Sequence, residues 1–125
     1  MKFLDSNVLA YAFYENEYQE KCRQAIWQGG LVNTLNLIEA FNIIEWQRNR
    51  DIAMRAIKSL LKSNLVIVNV DVNLLFEALK RSEKNHKLKC MDLLHYTSAQ
   101  QYSCSAILSY DKDFNGLDIA REEPV

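Results

Sequence analysis

The chain has 125 residues and a mass of 14.6 kDa, a length that predicts one domain spanning residues 1–125. Hydrophobic residues make up 49% of the chain and charged residues 25%, which is typical of globular proteins and argues against a disordered linker or a collagen-like chain. The net charge is only −1, yet residues 48–89 hold ten basic and four acidic side chains, whereas the flanking segments are acidic.

The first half of the chain predicts short strands that alternate with helices. Gly29 and Gly30 form a C-terminal stop for a helix, because glycine readily adopts the left-handed conformation that ends many helices. Thr34 is predicted to cap a long helix that is apolar around most of its circumference and therefore heavily buried. In chain order we expect a strand at 2–4, a helix from residue 7, a helix at about 16–28, a strand at 31–33, the long helix from 34 and a helix over 52–61.

The second half contains the clearest strand, residues 65–70, whose β-branched side chains are of the kind buried on both faces of a parallel sheet. Asp71 or Asn73 is expected to cap the helix that follows, and residues 82–89 are expected to form a polar loop or a frayed helix end. The remaining predicted elements are a helix at 91–102, a strand at 106–110, a polar turn at 111–113 and a short tail that can add an edge strand.

The alternation of strands and helices predicts an α/β fold with a central parallel sheet and helices on both of its faces. In sheets of this kind, ligands bind outside the carboxyl ends of the strands. The residues that directly follow the predicted strands are therefore the first candidates for a functional site.

Carboxylates occupy these positions. Asp5 directly follows the first strand and Asp111 directly follows the last clear one, so both should lie at the carboxyl edge of the sheet. Asp92 lies at the start of the helix that leads into that last strand, and Glu39 lies on a thin polar stripe of the long apolar helix. Taken singly, Asp92 fits a helix N-terminus and Asp111 fits a turn, whereas aspartate is depleted in strands and Asp5 is harder to explain.

Taken together, the four carboxylates indicate a cation site. Converging carboxylates with no adjacent Lys or Arg repel one another unless they are protonated or bridged by a cation. Ligands that are all oxygen atoms favour a hard ion, Mg²⁺ or Mn²⁺, over zinc. One or two such ions activate a water molecule and stabilise the transition state of phosphodiester hydrolysis.

Other chemistries have weaker support in the sequence. His86 and His95 lack metal-ligand spacing and are predicted to be surface or helix-face residues, and neither a glycine-rich nucleotide loop nor a serine triad is recognisable. Trp27 and Trp46 fall in apolar helix patterns and are predicted to be core or interface residues. Three scattered cysteines fit the reducing cytoplasm, and we expect neither a signal peptide nor a membrane span.

Four segments of the chain, FLDSNVL, TLNLIEAF, MDLLHYTSA and ILSYDKDF, occur in the order and spacing of a PIN domain. More narrowly, the chain resembles the small single-domain toxins of the VapC type over essentially its whole length. The resemblance implies a PIN-like three-layer α/β/α fold with a short-stranded central parallel sheet. It also implies Mg²⁺- or Mn²⁺-dependent endoribonuclease activity, assembly as a homodimer and, for toxin members, silencing by a small antitoxin protein.

The resemblance assigns roles to particular residues. The chain carries an acid at each of the four metal-binding positions of the family: Asp5, Glu39, Asp92 and Asp111. Asn7 and Ser109 match polar positions that support this cluster. Asp113 competes for the fourth position, but Asp111 directly follows the strand and completes a Ser-x-Asp pattern. The basic middle of the chain offers candidate ligands for RNA phosphates, namely Arg48, Arg50, Arg55, Lys80, Arg81 and Lys84.

Three alternatives to a toxin ribonuclease are compatible with some of these features. An RNA-processing PIN nuclease without an antitoxin shares every residue discussed, and only an adjacent antitoxin reading frame distinguishes it. A non-catalytic PIN scaffold has the same fold, although retention of all four acids argues against it. A phosphoryl-accepting receiver domain needs an acidic pair after the first strand and a lysine after the last, whereas here Asp5 stands alone and Asp111 takes the place of the lysine.

Overall fold

A computed structural model describes all residues from Met1 to Val125. The strands are β1 (Lys2–Leu4), β2 (Leu31–Asn33), β3 (Val66–Val68), β4 (Ala106–Leu108) and β5 (Ala120–Glu122). The helices are α1 (Ser6–Tyr11), α2 (Gln19–Trp27), α3 (Thr34–Gln47), α4 (Arg50–Leu61), α5 (Val72–Ser82) and α6 (Cys90–Gln101), and a 3₁₀ turn spans Lys112–Phe114. All five strands are parallel and lie in the order β3-β2-β1-β4-β5.

Successive strand residues face opposite sides of the sheet, and each side has its own core. Leu4 and Leu108 pack in a cluster with residues of α1, α2, α3 and α4. Their chain neighbours Phe3 and Ile107 pack in a second cluster with residues of α5 and α6. The predicted α/β class is therefore confirmed as a three-layer α/β/α arrangement. No helix combines the length and the apolar character that crossing a membrane requires.

The register of the central strands brings two predicted site residues side by side. The chain runs from β1 to β2 and β3 on one side and returns to β4 on the other, so the switch point of the topology lies between β1 and β4. Leu4 pairs with Leu108, and the backbone N–H of Asp5 donates to the carbonyl of Leu108 at 2.9 Å. Asp5 and Ser109 therefore leave the carboxyl edge of the sheet next to each other.

A close backbone approach requires glycine at the entrance to β2. Gly30 has a φ of +152°, and a Cβ at this position would lie 2.6 Å from the carbonyl oxygen of Lys2 and 2.5 Å from Cδ1 of Leu4. Gly29, with a φ of +87°, adopts the left-handed conformation just after the end of α2. The glycine pair thus ends the helix as predicted and also lets β2 pass close to β1.

The strand predicted at 65–70 is shorter and less buried than expected. It covers only Val66–Val68 and lies at the edge of the sheet, paired with β2 alone. Val66 is 46% exposed because no strand covers its outer side. The β-branched run correctly predicted a strand, but the inference that both faces are buried was wrong, since strand order is not encoded in the run itself.

The long helix α3 differs from its prediction in two respects. Its N-cap is Asn33 and not Thr34: the side chains of Asn33 and Asn36 each accept a hydrogen bond from the backbone N–H of the other, at 2.8 and 2.7 Å. The Thr34 hydroxyl instead accepts from the backbone N–H of Val70. The helix is also not buried all round, because Ile38 is 58% and Trp46 86% exposed.

Candidate active site

Asp5 lies at the carboxyl end of β1 with both carboxylate oxygens engaged. Oδ1 accepts from the backbone N–H of Ser6 at 2.7 Å, and Oδ2 accepts from the hydroxyl of Ser109 at 2.6 Å. Burial raises the pKa of Asp5 above its ordinary value, and the hydrogen bond from Ser109 only partly offsets this effect. The side chain is therefore held rigidly, and its negative charge lies where water stabilises it poorly.

Ser109 connects Asp5 to Asp111. Its fully buried hydroxyl donates to Asp5 and accepts from the backbone N–H of Asp111 at 2.9 Å. Oδ1 of Asp111 in turn accepts from the backbone N–H of Asp113 at 2.9 Å, which starts the 3₁₀ turn. The hydrogen bonds of this segment thus orient the carboxylates of Asp5 and Asp111 toward the same edge of the sheet.

Glu39 reaches the site from α3. Its Oε1 accepts from the hydroxyl of Ser6 at 2.6 Å and from Nε2 of His95 at 2.5 Å. Burial raises the pKa of Glu39, but the hydrogen bonds from His95 and Ser6 outweigh burial and hold the pKa below its ordinary value. Glu39 therefore remains a carboxylate near neutral pH.

His95 is the residue of this site that the sequence prediction missed. It was expected at the surface or on a helix face, but it is fully buried on α6. Because the oxygen of Asn33 caps α3, the amide nitrogen of Asn33 points to Nδ1 of His95 at 3.1 Å. Nδ1 is thus an acceptor, and Nε2 carries the proton that is donated to Glu39.

One feature of the sequence could have indicated His95. It follows Asp92 by three residues, so the two side chains lie on the same side of a helix. His86 lies exposed in the loop before α6, in agreement with its prediction. The buried polar partner of His95 comes from β2, however, and no local pattern shows which strand a helix covers.

Asp92 lies in the first turn of α6, as predicted, and it experiences the charges of the other acids. Burial and the negative charges of Asp5, Asp111 and Glu39 raise the pKa of Asp92 to about 6. Burial is the largest of these effects, followed by the charge of Asp5. Asp92 therefore lies close enough to the other three predicted acids to be repelled by them, which is the situation that a bound cation relieves.

The oxygen atoms of Asp92, Asp111 and Asp113 form a compact group, with one carboxylate oxygen from each lying within 4.8 Å of the others. None of these aspartates, nor Asp5, pairs with a Lys or Arg side chain. Oxygen donors with uncompensated negative charge match the preferences of Mg²⁺ and Mn²⁺. The geometry places Asp113 beside Asp111, so it makes both aspartates candidate ligands.

The predicted supporting residues behave differently from each other. Ser109 contacts Asp5 directly, as described above. Asn7 forms no hydrogen bond with an acidic side chain, and its Oδ1 atom is shielded from solvent without any hydrogen-bond partner. Such an atom is uncommon in folded proteins and provides a free acceptor in the first helix after Asp5.

The six predicted phosphate-binding residues do not form one surface. Arg55 lies with other basic side chains on the exposed face of α4. Arg48 and Arg50 lie at the exposed junction of α3 and α4, where Arg50 pairs with Glu45 at 2.6 Å. The other three line a groove between α5 and α6, the helix that carries Asp92: Lys80, Arg81 and Lys84.

The raised pKa of Asp92 predicts a pH dependence of stability in metal-free buffer. Because the folded state binds the proton of Asp92 more tightly than the unfolded state does, the free energy of unfolding falls as the pH rises from 3.8 to about 6. After allowance for solvent screening of this half-buried side chain, we expect a loss of about 1–2 kcal/mol. Asp92→Asn should lack this loss in urea unfolding measured across the same pH range.

Asp51→Asn, an exposed substitution on α4, provides the control and should keep the wild-type pH dependence. If the free energies of unfolding of wild type and Asp92→Asn change in parallel between pH 4 and pH 6, the raised pKa of Asp92 is wrong.

The fold has counterparts among known proteins. The PIN domain family model matches residues 2–120. The structure of VapC20 from Mycobacterium tuberculosis, a toxin that cleaves the sarcin–ricin loop, superposes with a TM-score of 0.85 at 13% identity, covering 99% of this chain and 100% of that one. No curated protein matches the sequence of this chain.

Two complexes also contain similar chains. A toxin–antitoxin complex from Klebsiella pneumoniae gives a TM-score of 0.74 at 16% identity and covers 100% of this chain and 98% of its own. VapBC2 from Rickettsia felis, bound to a DNA fragment from its promoter, gives a TM-score of 0.73 at 15% identity and covers 98% of this chain and 97% of its own. Identities this low establish a shared fold but not a shared activity.

Proposed function

The chain belongs to the PIN domain family, and on this basis we propose that residues 1–125 form one nuclease domain that hydrolyses RNA phosphodiesters with the aid of a divalent cation. The observation that carries the proposal is the compact group of Asp92, Asp111 and Asp113, to which Asp5 is linked through Ser109, without a balancing Lys or Arg. Glu39 adds its negative charge to the repulsion at Asp92. This arrangement is suited to a cation and a phosphate, two ligands of opposite charge that bind together.

Mg²⁺ or Mn²⁺ would be held by Asp5, Asp92 and Asp111, with Asp113 and Glu39 as further oxygen donors. When bound, the cation supplies the positive charge that activates water and stabilises the phosphodiester transition state. The pKa of Asp92, raised to about 6 in the metal-free protein by burial and by the neighbouring acids, supports this assignment because the positive charge of a cation offsets both effects.

The residues around the acids hold them in place. Ser6 and Ser109 are buried, and their hydroxyls donate to Glu39 and Asp5 respectively, so neither serine is available as a nucleophile. His95 donates to Glu39 and thereby orients its carboxylate. Attack by water therefore fits this site better than a covalent intermediate.

Cleavage of a structured RNA pool by the purified protein tests the proposal. We expect cuts in the presence of Mg²⁺ or Mn²⁺, their loss in EDTA and their return when the cation is added in excess, because the acids lack any other balancing charge. Cleavage that persists in EDTA would contradict the metal site. Folded protein that binds Mn²⁺ but cuts no RNA would favour the non-catalytic scaffold.

We further propose that the protein is the toxin of a toxin–antitoxin pair that acts in the cytoplasm. The similarity to VapC20 and to two complexes supports this proposal. An apolar groove of about 330 Å³ between α1, α2 and the end of α4 offers a surface for a small antitoxin protein and includes Phe13, Ile26 and Trp27. An antitoxin reading frame next to the gene would separate this proposal from an RNA-processing nuclease.

A homodimer has support from α5. The helix buries Leu74 and Ala78 against the rest of the protein, whereas an apolar stripe at helical spacing remains exposed, formed by Val72, Leu75, Phe76 and Leu79. Trp27 and Trp46 are also exposed, so the prediction that they are core residues was wrong and the interface alternative is the one compatible with the structure. We propose that a second copy of the chain covers the α5 stripe.

A further inference from the structure

The most basic part of the chain is the segment from the end of α5 to the start of α6. Residues 80–89 contain five basic side chains and one acidic side chain, which accounts for half of the basic residues in the middle of the sequence. This segment comprises the end of α5 and the loop that leads into α6, the helix on which Asp92 lies. Its basic residues are Lys80, Arg81, Lys84, Lys87 and Lys89.

Arg81 differs from the surrounding lysines because its guanidinium group is held in one orientation. Nε donates to Oε1 of Gln100 at 2.5 Å, and Nη1 donates to the backbone carbonyl of Glu77 at 2.8 Å. Neither acceptor is a carboxylate, so the positive charge of Arg81 is not balanced by an ion pair. Three of its five N–H groups lack a protein partner at the groove between α5 and α6.

Gln100 is itself fixed by a second layer of hydrogen bonds. Its Nε2 donates to the hydroxyl oxygen of Tyr96 at 2.7 Å and to Oδ2 of Asp118 at 3.0 Å, while the Tyr96 hydroxyl donates to Oδ1 of Asp118 at 2.6 Å. Burial and the neighbouring Asp118 raise the pKa of Tyr96 to about 12, so the hydroxyl keeps its proton. The oxygen of Gln100 is thereby left facing Arg81.

The groove lies along α6, between Asp92 and the C-terminal end of that helix. Tyr96 and Gln100 follow Asp92 by one and two turns of α6, which corresponds to about 6 and 12 Å along the helix axis. The groove has a volume of about 430 Å³ and is open to solvent. Lys84, which also lines it, has no ion-pair partner, whereas Lys80 pairs with Glu77 at 3.1 Å.

We propose that Arg81 binds a phosphate of the RNA strand beyond the scissile one, toward the C-terminal end of α6, with Lys84 adding positive charge and Gln100 acting as a positioning residue. A guanidinium group held in a fixed orientation matches the oxygens of a phosphate in a two-point contact, which a flexible lysine does not. The inference rests on the proposed ribonuclease function and specifies where the substrate strand leaves the acidic site.

Fluorescence anisotropy with a short single-stranded RNA of mixed sequence tests this assignment. Asp5→Asn serves as the background, so that bound RNA is not cut. Arg81→Gln should weaken binding about 10-fold or more and reduce the slope of log K against log salt by about 1, because one phosphate contact is lost. Lys58→Gln, which removes one charge from the exposed face of α4, should leave the affinity and the slope unchanged.

Two further variants separate binding from folding. Arg81→Lys and Gln100→Ala both keep the positive charge, so they should keep the salt slope but weaken binding several-fold through loss of the fixed orientation. A merely structural role would lower the melting temperature of these variants and leave the affinity of the folded protein unchanged. Binding by Arg81→Gln or Arg81→Lys that equals that of Lys58→Gln would overturn the inference.

Cleavage by the wild-type protein keeps this inference distinct from the proposed function. If wild type cuts RNA and the Arg81 variants bind RNA normally, the groove assignment is wrong and the nuclease stands. If wild type cuts no RNA while Arg81→Gln loses binding, the nuclease is wrong and the phosphate site stands. Absence of RNA binding in the Asp5→Asn background, with or without Mg²⁺, also overturns the assignment.

Discussion

Asp5→Asn is expected to lower the rate of RNA cleavage more than about 100-fold, because loss of even an outer-shell partner of a metal site reduces affinity or activity about 10–100-fold. The fold should survive, since asparagine keeps an oxygen that can accept from the backbone N–H of Ser6. Replacement of the buried charge also removes one source of repulsion in the metal-free protein. Initial cleavage rates with Mg²⁺ and with Mn²⁺, measured on folded protein, give the result.

Matched variants identify the acids that RNA cleavage requires. Asp51→Asn removes an exposed carboxylate from α4 and should cleave RNA at the wild-type rate. Asp111→Asn should resemble Asp5→Asn, because both carboxylates are proposed ligands of the same cation; Ser109 holds them near each other by binding the Asp5 carboxylate and the backbone N–H of Asp111. If Asp113→Asn loses more cleavage activity than Asp111→Asn, then Asp113 and not Asp111 is the fourth ligand. Wild-type activity in Asp5→Asn would remove the basis of the proposed site.

His95→Phe is expected to lower the free energy of unfolding by about 3 kcal/mol. Phenylalanine can keep the packing against Phe3, whose ring lies 5.6 Å from that of His95, but it cannot bond to Glu39 or Asn33. A hydrogen bond to a charged group contributes about 1.5–3 kcal/mol and a neutral one about 1 kcal/mol. Urea unfolding of the two proteins at neutral pH measures the difference.

The other histidine is the natural control for this substitution. His86 is exposed in the loop before α6, so His86→Phe should change stability by less than about 0.5 kcal/mol. We also expect His95→Phe to reduce cleavage, since Glu39 loses the donor that orients it. Equal stabilities of His95→Phe and wild type would show that the buried hydrogen bonds contribute little, and the orienting role of His95 would then be wrong.

Local sequence patterns were sufficient to predict most of the elements and the edge of the sheet at which the acids lie. Strands at 2–4 and 31–33 were predicted at their observed positions, because short apolar runs bounded by polar residues or glycine determine where a strand starts and ends. Since all strands are parallel, a residue that directly follows a strand must lie at the carboxyl edge. Asp5 could therefore be placed at this edge from the chain alone. The strand predicted at 106–110 ends at Leu108, so Asp111 follows it after a gap of two residues and not directly as predicted. The catalytic roles of both residues remain predictions.

Contacts between distant parts of the chain determined which side chains are buried. Whether Val66 is covered depends on strand order, and whether Ile38 and Trp46 are covered depends on which side of α3 faces the sheet. His95 is buried because α6 crosses β2 at the point where Asn33 caps α3. Each of these outcomes rests on contacts between residues far apart in the chain, whereas helix periodicity, strand runs and caps involve only near neighbours. Local patterns therefore predict the elements and the acidic edge, whereas the partners of each side chain depend on long-range packing.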